Sequence, residues 1–277
     1  MFKVFLKEYV ICKVFGLEAE DWLHRITSNH ILSLKVGDAV GASFLTGKAG
    51  VISVFNVYRK SKDIFFLVVP GTQEEKFKKY LEDAHFGEDL ELVFSSGEDL
   101  GLHALVGIEL SSKLAGDCFP SFPLKDLDHF MIFQKTGKID FKLESEEFYL
   151  NLLRSQSYPS IPSDFGEKDI LTEAQVFDKI AHDDKGCYPG QEVINKIRNI
   201  GKLPRRIFCL KVLSGSLEFE DNTIVCELGK LKALQKFTFQ DSEFCLVKAP
   251  LKIFTSIEEA NVFKAQSDTV ELELFSS

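Results

Sequence analysis

The strongest constraint on the fold is a pair of β-rich runs, residues 40–46 and 51–58, that flank the short segment Gly47-Lys48-Ala49-Gly50. β-Branched and aromatic residues suit a pleated surface, and a glycine-containing link between two such runs indicates a β-hairpin. A phosphate-binding P-loop would need four residues between its glycines and a Ser or Thr after the lysine, and this segment has neither. We therefore predict a hairpin turn within an antiparallel sheet.

Apolar periodicity on either side of the hairpin extends this prediction to a layered α+β fold. Residues 9–15 and 64–69 predict strands, while residues 18–28 and 72–86 place apolar side chains at helical spacing. The order strand, helix, strand, strand, strand, helix is typical of helices packed on an antiparallel sheet. Further strands are predicted at 103–110 and 129–134, and further helices at 145–155, 173–181 and 190–198. After Pro204, short β-like runs with turns between them predict a small barrel or sandwich.

The composition favours packed domains in a reducing compartment. Hydrophobic residues make up 45% of the 277 residues, which excludes disorder for most of the chain, and roughly 150 residues per domain suggests about two units. A net charge of −9 excludes an overall basic footprint for nucleic acid without excluding a local one. The N-terminus lacks the apolar core of a signal peptide, and the longest apolar run, residues 64–69, is too short to span a membrane. We expect a soluble, cytoplasmic protein.

The six cysteines have neither Cys-x-x-Cys nor zinc-ligand spacing. They are Cys12, Cys118, Cys187, Cys209, Cys226 and Cys245. Their density is low for a disulfide-stabilised scaffold, so we expect mostly free thiols and predict no metal site.

The stretch KGCYPGQE, residues 185–192, gives one cysteine a distinctive setting. Glycines bracket Cys187 and permit unusual backbone angles, so we predict a bend that exposes this thiol. A helix that starts at Gly190 and the nearby Lys185 would favour the thiolate. Three carboxylates oppose it: Asp183, Asp184 and Glu192. The alternative is a structural turn whose cysteine is one more small apolar residue, and a catalytic Cys187–His182 pair is disfavoured.

A cluster of positive charge follows this stretch. No Asp or Glu occurs in residues 193–217. The basic residues there are Lys196, Arg198, Lys202, Arg205, Arg206 and Lys211. One interpretation is a site for an anion such as a carboxylate tail, a phosphate or an RNA backbone. The other is a solvated basic face that pairs with acidic neighbours, and the sequence leaves both open.

These residues together resemble a known family. KGCYPGQE is similar to the K-G-C-Y-x-G-Q-E signature of the YgfZ-type folate-binding proteins, which are relatives of the glycine-cleavage T protein, an aminomethyltransferase. Two N-terminal segments support the resemblance independently. WLHRITSN (residues 22–29) resembles the family's Φ-L-q-r-l-t-t-N segment, and FLTGKAG (residues 44–50) resembles its f-l-t-p-k-G turn. The resemblance covers roughly residues 9–275, with weak matching in 85–145 and after 207.

The resemblance implies the T-protein fold: two α+β units around a central hole, residues 1–100 and 101–204, and a C-terminal β-barrel, residues 205–277. It implies a protein that binds tetrahydrofolate or a derivative and assists the assembly or repair of iron–sulfur clusters, including those of tRNA-modifying enzymes. Its partners would be iron–sulfur client enzymes or assembly factors, and Cys187 would be the functional thiol. The folate contacts that it implies are Arg154, Gln156, Tyr188, Gln191, Lys196 and Arg198.

The sequence departs from the family patterns at three places. An Asp-Asp pair follows the hairpin turn in true aminomethyltransferases, whereas Val54 and Phe55 stand here and cannot orient a charged amine. The resemblance therefore predicts no conventional aminomethyltransferase activity. The family's R-x-E reads Arg154-Ser155-Gln156, and a neutral Gln cannot hold the charge that pairs with a protonated pterin edge. Lys196 keeps a cation after G-Q-E but lacks the bidentate geometry of arginine.

Two other functions stay open at the level of sequence. One is one-carbon transfer with tetrahydrofolate, against which the apolar pair at residues 54–55 speaks. The other is a scaffold or RNA-binding module that uses the basic stretch 196–206, for which binding would fall steeply with salt.

Overall fold

The computed structural model describes residues 1–108, 118–133, 141–201, 203–219, 221–266 and 269–275. The turn predicted at Thr136-Gly137, the last residues of two predicted strands and the basic Lys202 lie outside these residues.

The chain folds as two compact units. The first comprises Met1–Glu146, Ile161–Ile170 and Lys179–Asn195, and the second comprises Glu147–Ser160, Leu171–Asp178 and Lys196–Ser277. The three-part division at residues 100 and 204 stays a prediction.

The described residues of the first segment, which ends at Glu146, form ten strands and three α-helices. The strands are β1 (Phe2–Phe5), β2 (Val10–Phe15), β3 (Ala39–Leu45), β4 (Val51–Ser61), β5 (Ile64–Val69), β6 (Glu91–Ser96), β7 (Leu102–Gly107), β8 (Cys118–Pro120), β9 (Asp128–Phe133) and β10 (Lys142–Glu144). The helices are α1 (Ala19–Ile26), α2 (Glu74–Asp83) and α3 (Gly97–Leu100).

These strands form two five-stranded sheets, in the orders β3-β4-β5-β2-β6 and β10-β1-β7-β9-β8. The predicted hairpin is confirmed, because β3 and β4 pair antiparallel from Ala39↔Tyr58 to Leu45↔Val51. The edge strands β6 and β10 and the first strand β1 were not predicted. β1 is only four residues long and pairs in parallel with β10, which is distant in the sequence, so local pattern gives it a weak signal.

Aromatic rings fill the core under the first of these sheets. The ring of Phe44 on β3 lies 4.4 Å from that of Phe55 on β4 and 5.4 Å from that of Phe77 on α2. Trp22 of α1 is fully buried and donates its indole N–H to the carbonyl of Ala84 at 2.9 Å. Burying one such side chain contributes about 1.5–3 kcal/mol. The abundance of phenylalanine therefore serves the packing of α1 and α2 on this sheet.

The predicted helix at 173–181 forms two 3₁₀ helices instead, Leu171–Glu173 and Gln175–Ile180. The N–H groups of Ala174 and Phe177 donate to carbonyls three residues back rather than four. Ala174 also forms a parallel bridge with Ile207, and this pairing interrupts a continuous helix. Helix α4 (Glu146–Ser155) and helix α5 (Gln191–Ile200) lie close to their predicted positions.

The C-terminal region is a closed barrel rather than a sandwich, with the strand order β11-β14-β13-β12-β15-β16. Its elements are β11 (Arg205–Ser214), β12 (Thr223–Cys226), β13 (Gly229–Phe239), β14 (Ser242–Pro250), α6 (Leu251–Ala260), β15 (Val262–Ala265) and β16 (Val270–Phe275). Pairing of β11 with β16 closes the barrel, a contact that only the tertiary fold creates. Helix α6, which the sequence pattern missed, packs Phe254 and Ile257 against the barrel core. The prediction of an α+β fold with a C-terminal barrel is confirmed.

Among the described residues, no helix has both the length and the apolar character needed to cross a membrane.

Candidate functional site

The loop before α5 is anchored by a buried lysine. Lys185 is 4% exposed, and its ammonium donates to the backbone carbonyls of His24 and Thr27 at the C-terminal end of α1. The last carbonyls of a helix lack intrahelical partners, and the negative end of the helix dipole favours a cation there. Lys185 thus caps α1 and fixes one end of the loop. Sequence reasoning considered it only as an electrostatic neighbour of the thiol.

Two further residues of the KGCYPGQE stretch close the loop on itself. The Gln191 side chain donates to the Lys185 carbonyl at 3.1 Å. The Lys185 ammonium also lies 5.0 Å from the centroid of the buried Tyr188 ring, within the range of a cation–π contact. Tyr188 and Gln191 therefore have structural contacts within the first unit, and their predicted folate contacts stay predictions.

Gly190 joins this loop to the β3–β4 hairpin turn. Its φ is +83°, and a Cβ added there would lie 2.7 Å from the Ala49 Cα and 2.8 Å from the Thr46 carbonyl oxygen. The turn itself is closed by the Gly50 N–H, which donates to the Thr46 hydroxyl at 2.9 Å. Only glycine fits both the backbone angle and the close approach. The fold thus places two segments of the family resemblance in direct contact.

The third segment, residues 22–29, contacts strand β3 and the residues that precede the KGCYPGQE stretch. The His182 N–H donates to the Ser28 carbonyl at 2.9 Å, and the Ser28 hydroxyl donates to the Ile180 carbonyl at 2.5 Å. The Asn29 amide donates to the Gly41 carbonyl at 2.8 Å and to the Lys179 carbonyl at 3.3 Å. All three motif segments therefore meet within the first unit, and most of their polar side chains bind backbone rather than solvent.

Cys187 differs from the other five cysteines in its exposure. It is solvent-exposed on the anchored loop, whereas Cys118 is half-buried and the remaining four are buried. Burial raises the pKa of each of the other five thiols, and for Cys12, Cys118 and Cys245 it raises the pKa to about 12. The predicted exposure of the thiol is confirmed. The alternative, a structural turn whose cysteine has no chemical role, stays open, and the functional role of the thiol stays a prediction.

Three histidines cluster beside the anchor, which sequence reasoning missed. The ring of His30 lies 4.8 Å from that of His24 and 5.3 Å from that of His182. Burial and the nearby Lys185 charge lower the pKa of His24 to about 4, and burial lowers the pKa of Lys185 to about 8. Within the described ranges, no group of three His, Cys, Asp or Glu side chains could hold a metal ion.

The remaining predicted folate contacts belong to the second unit. Arg154 donates to the Asn151 side chain at 2.8 Å and to the Ser160 hydroxyl at 3.4 Å, and its buried Nε has no hydrogen-bond partner among the described residues. Gln156 is half-buried just after α4, and Lys196 is exposed on α5. Arg198 donates to the Asp178 carbonyl. The roles of these four residues as folate contacts stay predictions.

Two arginines of the basic stretch are already engaged. Arg205 donates through Nε and Nη2 to the buried Glu173 carboxylate at 3.1 and 2.9 Å. Arg206 donates to the Thr172 carbonyl at 3.1 Å and lies 3.9 Å from the Asp178 carboxylate. For these two residues the structure favours pairing with acidic neighbours over a free anion site.

The positions of the aminomethyltransferase Asp pair lie in the core. Phe55 is fully buried, and its ring lies 5.3 Å from that of Phe77. Val54 is 3% exposed, and its N–H donates to the Gln73 side chain at 2.9 Å. A carboxylate at residue 55 would be desolvated among aromatic rings, which is costly without a partner.

Comparison with solved structures identifies the fold. The chain is similar to the glycine cleavage system aminomethyltransferase T from Bartonella henselae, with a TM-score of 0.66 over 99% of this chain and 84% of that chain, at 14% sequence identity. The chain thus has the T-protein fold. It is also similar to the tRNA-modifying protein YgfZ of Colwellia psychrerythraea, with 22% identity over 252 residues that cover 81% of this chain and 76% of that protein. No family model matches the sequence. The two likenesses support a YgfZ/GcvT-like family, as the motifs predicted.

Proposed function

We propose that this protein is a folate-binding, YgfZ-like factor that assists the assembly or repair of iron–sulfur clusters through Cys187. Its clients would include iron–sulfur enzymes that modify tRNA, in keeping with the name of the YgfZ relative. The cluster would be a substrate or cargo that the exposed thiol contacts transiently.

The observation that carries the proposal is the exposed thiol on an anchored loop. Lys185, Gly190 and Gln191 fix the backbone on both sides of Cys187 while leaving its side chain in solvent. A thiol must be accessible to exchange with a partner or to contact a cluster. A loop stabilised to such an extent around one free thiol is suited to present it to another protein.

Residues of the second unit support the folate-binding part of the proposal. Arg154 presents an unpartnered buried Nε, and Lys196 and Arg198 add positive charge suited to the carboxylates of tetrahydrofolate. Gln156 can hydrogen-bond a pterin ring but adds no charge, so we expect weaker binding than a Glu would give. When bound, tetrahydrofolate would supply a carrier for one-carbon units.

Complementation tests the role of the thiol. Cells that lack the gene would receive the wild type, Cys187→Ala or the matched control Cys118→Ala. The readout is the fraction of tRNA that carries nucleosides made by iron–sulfur enzymes. We expect the control to restore modification and Cys187→Ala to fail at equal protein level. Full restoration by Cys187→Ala would remove the thiol from the mechanism.

Calorimetry tests the folate half separately. Tetrahydrofolate would be titrated into the wild type and into Gln156→Glu, with the expectation that the restored carboxylate tightens binding. Absence of heat with both proteins would reject folate binding while leaving the thiol result unaffected. One-carbon transfer is not proposed, because Phe55 fills the position of the required Asp pair with core packing.

A further inference from the structure

A groove of about 280 Å³ on the C-terminal barrel combines four cationic side chains. The cations are Arg205, Lys230, Lys232 and Lys248, and the other lining residues are Thr223, Leu231, Ala249 and Pro250. The groove lies within the second unit and contains none of the residues that the family resemblance singles out. Three of its four cations lie outside the basic stretch 196–206.

The strand register explains why these charges converge. Lys232 on β13 and Lys248 on β14 are direct partners across an antiparallel pair, where side chains lie about 4.5–5.5 Å apart at Cβ. Lys230 precedes Lys232 by two residues and so lies on the same face of β13. Lys248 also pairs with Ile207 on β11, two residues after Arg205. Three adjacent strands therefore bring four cationic side chains into one small area, and the charge of one of them, Arg205, is already paired with Glu173.

Two of the lysines lie opposite each other on adjacent strands, Lys232 exposed and Lys248 only 5% exposed. Arg205 is held in place by its ion pair with Glu173, which balances its charge. A bound anion would be attracted by the lysines that line the groove.

The lining indicates the chemistry of that anion. Lysine ammonium groups are compact point charges that suit phosphate, whereas the Thr223 hydroxyl already donates to the Asp221 carbonyl at 3.3 Å. Among the described residues that line the groove, none is acidic and none is aromatic, so they offer no platform on which a base would stack. Its volume is also at the low end for a pocket that encloses a whole cofactor. These features favour recognition of phosphate groups alone.

We propose that this groove binds adjacent phosphate groups, supplied either by an RNA backbone or by a free polyphosphate such as a nucleoside triphosphate. The site is independent of the Cys187 loop and of folate binding. Recognition of phosphates without bases predicts equal affinity for ATP and inorganic triphosphate, and for RNA no preference among sequences.

The test uses the full chain with three probes: inorganic triphosphate, ATP and a labelled single-stranded RNA oligonucleotide, each at low and at physiological ionic strength. The variant Lys230→Gln/Lys232→Gln removes two exposed cations of the groove. Lys252→Gln is the matched control, because Lys252 is exposed on α6 outside the groove. Thermal melts establish that both variants fold.

We expect the double variant to weaken binding by roughly tenfold or more and to lower the salt dependence, because each lost phosphate contact reduces the slope by about one. The control should bind like the wild type. If triphosphate displaces RNA, the RNA backbone is one source of the phosphate groups that the groove binds. If triphosphate binds and RNA does not, the source is a small polyphosphate. Two results would overturn the proposal: no binding of any probe at low ionic strength, or equal weakening in the control.

Discussion

The Cys187 loop and the C-terminal barrel are stabilised in different ways. In the loop, single residues make contacts that no other side chain could replace, such as the Lys185 ammonium on two helix-end carbonyls and Gly190 against the Ala49 backbone. In the barrel, alternating apolar residues fill a shared core, and many combinations of similar volume would serve. The difference teaches why a recognisable signature lies in the loop, whereas the family resemblance weakens after residue 207.

The largest expected effect concerns the barrel core. Leu272 is fully buried on β16, so Leu272→Ala should lower the free energy of unfolding by about 2–5 kcal/mol through lost burial and a cavity. Leu272→Met keeps the volume and should cost less than about 1.5 kcal/mol. Urea denaturation of both variants measures the difference. Equal losses would show that the barrel is as intolerant of substitution as the loop.

In the loop, a smaller chemical change should lower the free energy of unfolding by almost as much. Gly190→Ala adds one methyl group at a φ of +83° and 2.7 Å from the Ala49 Cα, which should cost about 2–3 kcal/mol. Gly186→Ala is the control, because a Cβ there meets nothing within 4 Å, and it should stay within about 0.5 kcal/mol. The same urea titration compares the two. If Gly190→Ala lowered the free energy of unfolding only slightly, the loop would be no less tolerant of substitution than the barrel.

Removal of the buried cation should have an intermediate effect that depends on pH. Lys185→Met leaves two helix-end carbonyls without their donor, with an expected loss of about 1–3 kcal/mol at pH 7. The folded-state pKa of Lys185 is lowered to about 8 from 10.5, so the unfolded chain binds more protons between these values. Wild-type stability should therefore rise with pH through this window relative to the variant. The measurement is the free energy of unfolding of both proteins at pH 7, 9 and 10. A difference between them that stayed constant over this range would contradict the lowered pKa of Lys185.

The smallest effect on stability is expected at the thiol itself. Cys187→Ser alters an exposed side chain, so its unfolding free energy should match the wild type within about 0.5 kcal/mol. In the native wild type, an alkylating reagent should label Cys187 first, since burial protects four of the other thiols and partly protects Cys118. Mass spectrometry of the labelled peptides measures the order in which the cysteines react. Rapid labelling of the Cys187→Ser variant would show that the buried cysteines become accessible by local opening.

Local pattern predicted much of the fold. The hairpin at residues 40–58, strand β5 and strand β16 follow from β-rich runs next to turn residues, and α1 and α4 follow from apolar periodicity. The missed elements lack such signals. Strand β1 is short and depends on distant partners, and the 3₁₀ helices at 171–180 arise because Ala174 bridges to Ile207.

For the candidate site, the sequence alone singled out three segments and set Cys187 apart, because the glycines beside this cysteine permit backbone angles that other residues avoid. Only the tertiary structure decided how those segments meet. The contact of Gly190 with the hairpin turn, the capping of α1 by Lys185 and the cluster of His24, His30 and His182 join residues far apart in the chain. The same holds for the basic groove of the barrel, since strand register places Lys232 opposite Lys248. Such convergence depends on long-range pairing, which the order of residues along one segment does not encode.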